Sequence, residues 1–126
     1  MQYKVLVVDD SKLARMVMAS ALRRIRPDWE LVEATNAADA IAAIPARSVD
    51  IALVDFNMPE TDGLELVANI RQAHPTMPVA LVSANLQDEI IGRARELSAA
   101  FIAKPLTDEA LGAFLSGAVL RLKKRT

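Results

Sequence analysis

KVLVVDDSKLARMVMASALRRI, residues 4–25, joins three unlike signals in one segment. Val5 to Val8 is a continuous apolar run, which suits a strand buried on both faces rather than one with a wet side. The run stops abruptly at Asp9-Asp10. Ser11 is a good helix N-cap. From there Ala14, Val17, Met18, Ala21 and Ile25 recur at helical spacing. Pro27 stops the helix before Trp29, because proline disfavours a helical residue ahead of it. A buried strand, a pair of carboxylates and an amphipathic helix therefore follow one another.

The same unit recurs along the chain. Ile51-Ala52-Leu53-Val54, Val79-Ala80-Leu81-Val82 and Phe101-Ile102-Ala103 are further short apolar runs. Glu30-Leu31-Val32-Glu33-Ala34 is a fifth strand, and its two glutamates place it at a sheet edge. Helical patterns fill the gaps. One runs from Ala37 to Ile44, capped by Asn36 and ended by Pro45. Another begins at Gly63, carries Leu64, Leu66, Val67 and Ile70, and ends before Pro75. A polar one spans Gln87 to Leu97, and a last one opens at Thr107-Asp108-Glu109 with the stripe Leu111, Phe114, Leu115, Ala118 and Leu122. Met58-Pro59 reads as a loop, and Gly63 as the residue that lets the backbone turn into the third helix. Strict β-α alternation, five times over, predicts a parallel sheet with helices on both faces.

Composition bounds the function. At 126 residues the expectation is one domain over 1–126, with its core at about 2–122. Sixteen acids against 15 bases give a net charge of −1, without the basic excess of a nucleic-acid coat. Four of the 15 bases lie in residues 121–126, which read as a basic tail. The 52% hydrophobic content argues against disorder. With Cys 0 and His 1, disulfides, thiolate metal sites and multi-histidine sites are all excluded. No apolar stretch approaches the roughly 18 residues of a membrane span, and the expected location is cytoplasmic.

In an open parallel sheet, sites form beyond the carboxyl ends of the strands. Here those ends carry Asp9-Asp10, Thr35-Asn36, Asp55, Ser83 and Lys104-Pro105. Singly each is weak: a turn residue, a cap, a solvated lysine. Together they put three carboxylates, a hydroxyl and an ammonium on one rim. Close carboxylates repel, and one lysine does not balance three. A hard divalent cation with oxygen ligands would supply the rest, which points to Mg²⁺. A phosphoryl group would then meet a metal, an ammonium and a hydroxyl, the parts its transfer needs. An aspartate can itself be the nucleophile.

With Asp9-Asp10, the VDFNMP segment containing Asp55, Ser83-Ala84 and Lys104-Pro105 in order, the chain resembles the receiver domain of two-component response regulators along essentially its whole length. The resemblance implies a flavodoxin-like α/β fold, a doubly wound five-stranded parallel sheet of order 2-1-3-4-5 with five helices. It implies that Asp55 accepts a phosphoryl group from a sensor histidine kinase or phosphotransfer protein. Asp10, Asp55 and the Asn57 backbone carbonyl would ligate Mg²⁺, or Mn²⁺ in its place, with Asp9 acting through water. Lys104, Ser83 and Ala84 would bind the phosphate. Ser83 and Phe101 would form the switch, Asn57 and Asn85 would tune dephosphorylation, and Lys104-Pro105 would be a cis peptide. Ser83 stands where threonine is common, and Phe101 where tyrosine is.

The implied protein is a signalling switch rather than an enzyme with a separate substrate. Its output would be a conformational change at the face of helix 4, strand 5 and helix 5. A downstream protein, or an output domain beyond this chain, would read that face. Neither a nucleic acid nor a membrane is an expected partner. Both a monomer and a phosphorylation-promoted dimer fit. The competing readings are a Mg²⁺-dependent phosphohydrolase, a flavin-binding electron carrier and a phosphorylation-independent interaction module. The first would want an acid two residues after the nucleophile, where this chain has Asn57. The second would want a Ser/Thr/Gly-rich loop where this chain has Asp9-Asp10-Ser11-Lys12.

Overall fold

Five strands and five helices alternate in the computed structural model, which describes residues 2–58 and 61–124. The strands are β1 (Lys4–Val8), β2 (Glu30–Ala34), β3 (Ile51–Asp55), β4 (Val79–Ser83) and β5 (Ala100–Ala103). The helices are α1 (Lys12–Ile25), α2 (Ala37–Arg47), α3 (Gly63–Ala73), α4 (Asp88–Glu96) and α5 (Asp108–Lys124). All pairings are parallel, in the order β2-β1-β3-β4-β5. The glutamate-bearing β2 is indeed an edge strand.

The apolar runs of β1, β3 and β4 are buried on both faces because the sheet is covered twice, while β5, the other edge strand, buries only Ile102. Val5, Val7, Ile51, Leu53, Ala80 and Val82 face one layer, with Met18, Leu22, Leu111 and Leu115 from α1 and α5. Leu6, Val8, Ala52, Val54, Val79 and Leu81 face the other, with Ile44, Leu66, Ile70 and Ile90 from α2, α3 and α4. Successive strand residues point to opposite faces, so each run fills both layers. The two layers leave the carboxyl rim of the sheet open between them.

The helix starts follow capping chemistry. The Ser11 hydroxyl accepts from the Ala14 N–H, Asn36 Oδ1 from the Asp39 N–H and Asp62 Oδ1 from the Glu65 N–H. Gln87 offers α4 no such side-chain bond. The far end of α4 is held from outside. The Arg71 guanidinium donates to the carbonyls of Leu97, Ser98, His74, Pro75 and Met77, tying α4 to the end of α3.

Several expectations need correction. Helix α2 does not end at Pro45 but runs through it to Arg47. Pro45 removes a single N–H bond near the end of the helix, on its exposed side, and Ser48 closes the helix in the left-handed conformation by donating to Ile44 and Pro45. Gly63 is not a turning residue, since no described glycine has positive φ. Val17 lies on the helical stripe of α1 yet is 50% exposed, because α5 and the sheet cover only the Met18 and Leu22 side. Arg121, Lys123 and Lys124 belong to α5 rather than to a tail, with Leu122 buried among them. Pro59, Arg125 and Thr126 lie outside the described residues.

Candidate functional site

Three strand ends converge. Asp9 and Asp10 follow β1, and Asp55 is the last residue of β3. One carboxylate oxygen from each lies within 4.8 Å of the others. Asp9 and Asp55 are buried, while Asp10 is exposed. Lys104, just beyond β5, donates from Nζ to Asp55 Oδ1 at 2.6 Å. Ser83, the last residue of β4, is fully buried. The neighbouring strand ends bring it to the same rim: Phe56 N–H donates to Val82 O and Lys104 N–H to Ser83 O.

The backbone around Asp9 is fully engaged. Its N–H donates to Ala34 O at 3.2 Å, and its Oδ1 accepts from the Ser11 N–H at 2.9 Å. Asp9 Oδ2 is buried without a hydrogen-bond partner. Such an atom is costly unless something occupies the space before it. An all-oxygen donor set with an orphaned, buried carboxylate oxygen fits a hard divalent cation.

Burial pushes the Asp9 and Asp55 carboxyls above the usual carboxylate range. For Asp9 the neighbouring charges of Asp55 and Asp10 add to this, against the Ser11 N–H and Lys104. For Asp55 the Lys104 bond and the Asn57 N–H oppose it without reversing it. The folded chain thus holds these protons more tightly than the unfolded chain. Their contribution favours the fold at acidic pH and is lost as pH rises through the raised values. Near neutral pH, metal-free Asp9→Asn should therefore melt above wild type by roughly 4 °C, about 1 kcal/mol, because a charge is no longer buried there and, secondarily, because the repulsion from Asp55 and Asp10 is relieved. Asparagine keeps the acceptor for Ser11. The gap should close as the pH falls toward the carboxylate range. A variant that melts below wild type at neutral pH, followed by calorimetry in chelator, would contradict this charge balance.

The other expected residues have distinct local roles. Ser83 Oγ accepts from the Asn85 N–H at 2.9 Å, closing the turn after β4. Asn85 Oδ1 in turn accepts from the Gln87 N–H, so the Asn85 side chain serves the β4–α4 loop. Ala84, the residue after Ser83, and Asn57, whose N–H donates to the Asp55 carboxylate, are both exposed. Phe101 is half-buried against the layer that holds α3 and α4. The Lys104-Pro105 bond is cis.

Two contributions escaped the sequence reading, the close approach at Gly63, which reads there as a turn, and the bond from Arg15. Gly63 donates its N–H to Phe56 O at 2.9 Å. A Cβ there would collide with the Asp55 carbonyl oxygen and come within 2.7 Å of Phe56 Cα and 2.9 Å of Leu81 Cδ1. Helix α3 thus starts directly against the peptide that carries Asp55. Arg15, on α1, donates from Nη1 to the Asp9 carbonyl at 2.8 Å. A glycine beside an apolar run signals close approach as readily as a turn. Arg15 gave no signal, since it reads as the polar flank of an amphipathic helix.

The sheet order, with a site at its carboxyl rim, defines a flavodoxin-like α/β protein. Within that class the chain belongs to the response regulator receiver domain family, whose model matches residues 5–116. It is 41% identical over 111 residues to a protein-glutamate methylesterase/protein-glutamine glutaminase of Thiobacillus denitrificans, covering 83% of this chain and 30% of that protein. It is 34% identical over 121 residues to the sensor histidine kinase RcsC of Salmonella typhi, covering 95% of this chain and 13% of that one. The chain therefore spans less than a third of the length of these relatives, at 30% and 13%. Among solved structures it resembles the chemotaxis protein CheY4 of Vibrio cholerae, with a TM-score of 0.84, 25% identity and coverage of 94% and 99% of the two chains. Receiver domains are signalling modules of two-component systems. They bind Mg²⁺ through an acidic pocket and pair with histidine kinases and output domains. Among the described residues, no helix is long and apolar enough to cross a membrane.

Proposed function

We propose that this domain is a phosphorylation switch in which Asp55 accepts a phosphoryl group from a phosphohistidine on a sensor kinase or phosphotransfer protein. The observation that carries the reading is the under-neutralised rim. Three carboxylates face one paired ammonium, and Asp9 Oδ2 is buried without a partner. Mg²⁺, held by Asp10, Asp55 and the Asn57 carbonyl and by Asp9 through water, would cancel the remaining charge and shield the phosphoryl oxygens.

An Asp55 oxygen attacks phosphorus, the P–N bond breaks, and its electron pair leaves with the imidazole. Lys104 pairs with Asp55 beforehand at 2.6 Å and would pair with a phosphoryl oxygen afterwards. Ser83 Oγ uses a lone pair on the Asn85 N–H, which leaves its hydroxyl proton free to donate to that phosphoryl group. Ala84 borders the phosphate's approach. Turning Ser83 toward the phosphate draws on the β4–α4 loop, and α4 has no side-chain cap to resist at its start. Phe101, half-buried on the adjacent strand, follows the loop inward. The resulting shift between two conformations is read at the α4–β5–α5 face by a downstream protein or an output domain. Asn57 and Asn85, flanking the site, set how fast the phosphate is lost.

Incubation with acetyl phosphate tests the reading, with intact mass as the readout. One labile phosphoryl group should appear with Mg²⁺ present and be absent in chelator. An unlabelled protein at saturating Mg²⁺ would leave a phosphorylation-independent interaction module as the better description.

A further inference from the structure

We infer that Arg15 is a positioning residue for the cation site: it fixes the Asp9–Asp10 peptide so that both carboxylates face the same point. The inference rests on the Mg²⁺ reading above and adds a residue to it.

The guanidinium bridges two strand ends. Nη1 donates to the Asp9 carbonyl at 2.8 Å, and Nε donates to Glu33 Oε1 on β2 at 3.1 Å. The Arg15 side chain is only 13% exposed, against 49% for Glu33. The carbonyl it holds belongs to the peptide bond whose nitrogen is that of Asp10. Fixing this peptide plane therefore fixes where the Asp10 side chain departs. Asp9 is thus held at three separate points: its N–H by Ala34 O, its carbonyl by Arg15 and its Oδ1 by the Ser11 N–H. Only Oδ2 remains without a partner, on a carboxylate that belongs to the acidic cluster.

The pairing with Glu33 matters for the sign of the effect. An unpaired guanidinium this near the cluster would repel a cation. Glu33 offsets that charge locally while leaving the planar fork in place. Lysine keeps the charge and lacks the fork, so it cannot satisfy two acceptors in fixed directions. Groups that orient metal ligands without touching the metal typically contribute about 10–100-fold in affinity.

The test is Mg²⁺ titration by calorimetry on wild type, Arg15→Ala, Arg15→Lys and Glu33→Gln, with metal-free melting measured on the same samples. Arg15→Ala should bind Mg²⁺ about 10-fold more weakly. Arg15→Lys should also be weakened severalfold although its charge is unchanged, and it carries the test should the alanine variant not fold. Glu33→Gln, which leaves the Asp9 bond intact but no longer offsets the guanidinium charge, should weaken Mg²⁺ binding less than Arg15→Ala does; a loss as large as that of Arg15→Ala would assign the effect to charge rather than to the fixed peptide and overturn the inference. If Arg15 only staples α1 to β2, the variants melt lower but bind Mg²⁺ as tightly as wild type, and the inference is overturned. Tighter binding by Arg15→Ala would overturn it too, since it would show the guanidinium acting as a repelling charge. Absence of Mg²⁺ binding by wild type itself overturns the metal reading and this inference with it.

Discussion

Asp55→Asn should lose phosphoryl uptake from acetyl phosphate by about 1000-fold or to the detection limit, because it removes the attacking oxygen rather than a supporting contact. The side chain sits at the end of a strand buried along its whole length, so its position is set by the sheet and not by the loop after it. Asparagine preserves shape and an acceptor for Lys104, which bonds Asp55 Oδ1 at 2.6 Å in the wild type. The variant should therefore fold with the same circular dichroism, and the loss will report chemistry alone. Equal labelling of wild type and variant would remove Asp55 from the role assigned to it. Partial labelling would point to Asp9 or Asp10, whose carboxylate oxygens lie within 4.8 Å.

Gly63→Ala is expected to give the largest effect on stability. Its new methyl group has nowhere to go: backbone atoms of Asp55 and Phe56 stand on one side, and Leu81 Cδ1 lies 2.9 Å away. Backbone cannot rotate aside as a flexible side chain can. Overpacking of this kind costs about 2–3 kcal/mol, or roughly 10 °C in Tm for a domain of this size. The strain falls on the Asp55 peptide, so phosphoryl uptake should drop as well. Gly117→Ala is the internal control. A Cβ at Gly117 meets nothing within 4 Å, and the residue lies inside α5. That change should stabilise by about 0.4–1 kcal/mol through the unfolded chain. Opposite shifts in Tm for the two substitutions, measured under the same buffer, are the expected pattern. Equal or same-signed shifts would mean that α3 does not start against the Asp55 peptide.

The sequence made the sheet legible because this one is covered on both faces. Its inner strands β1, β3 and β4 have to be apolar, and β5 keeps the pattern at Phe101-Ile102-Ala103, so the first polar residue after each of these runs marks the rim. That is why Asp9, Asp55, Ser83 and Lys104 could be placed on one edge before any coordinates. Capping was legible for the same local reason at Ser11 and Asn36. What escaped depends on distance between elements. The fork of Arg15 ends on a backbone carbonyl, and no side-chain identity announces a carbonyl acceptor. Gly63 carries no positive φ, so its reason is the closeness of a strand end eight residues earlier in the chain. Pro45 reads as a stop, yet a helix with two residues left to run loses little by it. Ser48 and Ser98 adopt positive φ at 55° and 57° without the glycine that usually marks such a position.

The site's energetics tie these observations together. Without a cation the rim is a cost, seen in the raised affinities of Asp9 and Asp55 for protons and in the unpartnered Asp9 oxygen. The fold tolerates that cost because β3 and β4 beneath it are buried along their whole length. A cation and a phosphoryl group would both relieve it, which couples ligand occupancy to the conformation of the loops around them.

Borohydride trapping tests the central claim most directly, since it reduces an aspartyl phosphate to homoserine and so marks the residue that carried it. The protein is phosphorylated in Mg²⁺, reduced, digested and sequenced by mass spectrometry. The account predicts homoserine at position 55, only when Mg²⁺ was present. Homoserine at position 9 or 10, or none at any position in protein that binds Mg²⁺, would contradict it.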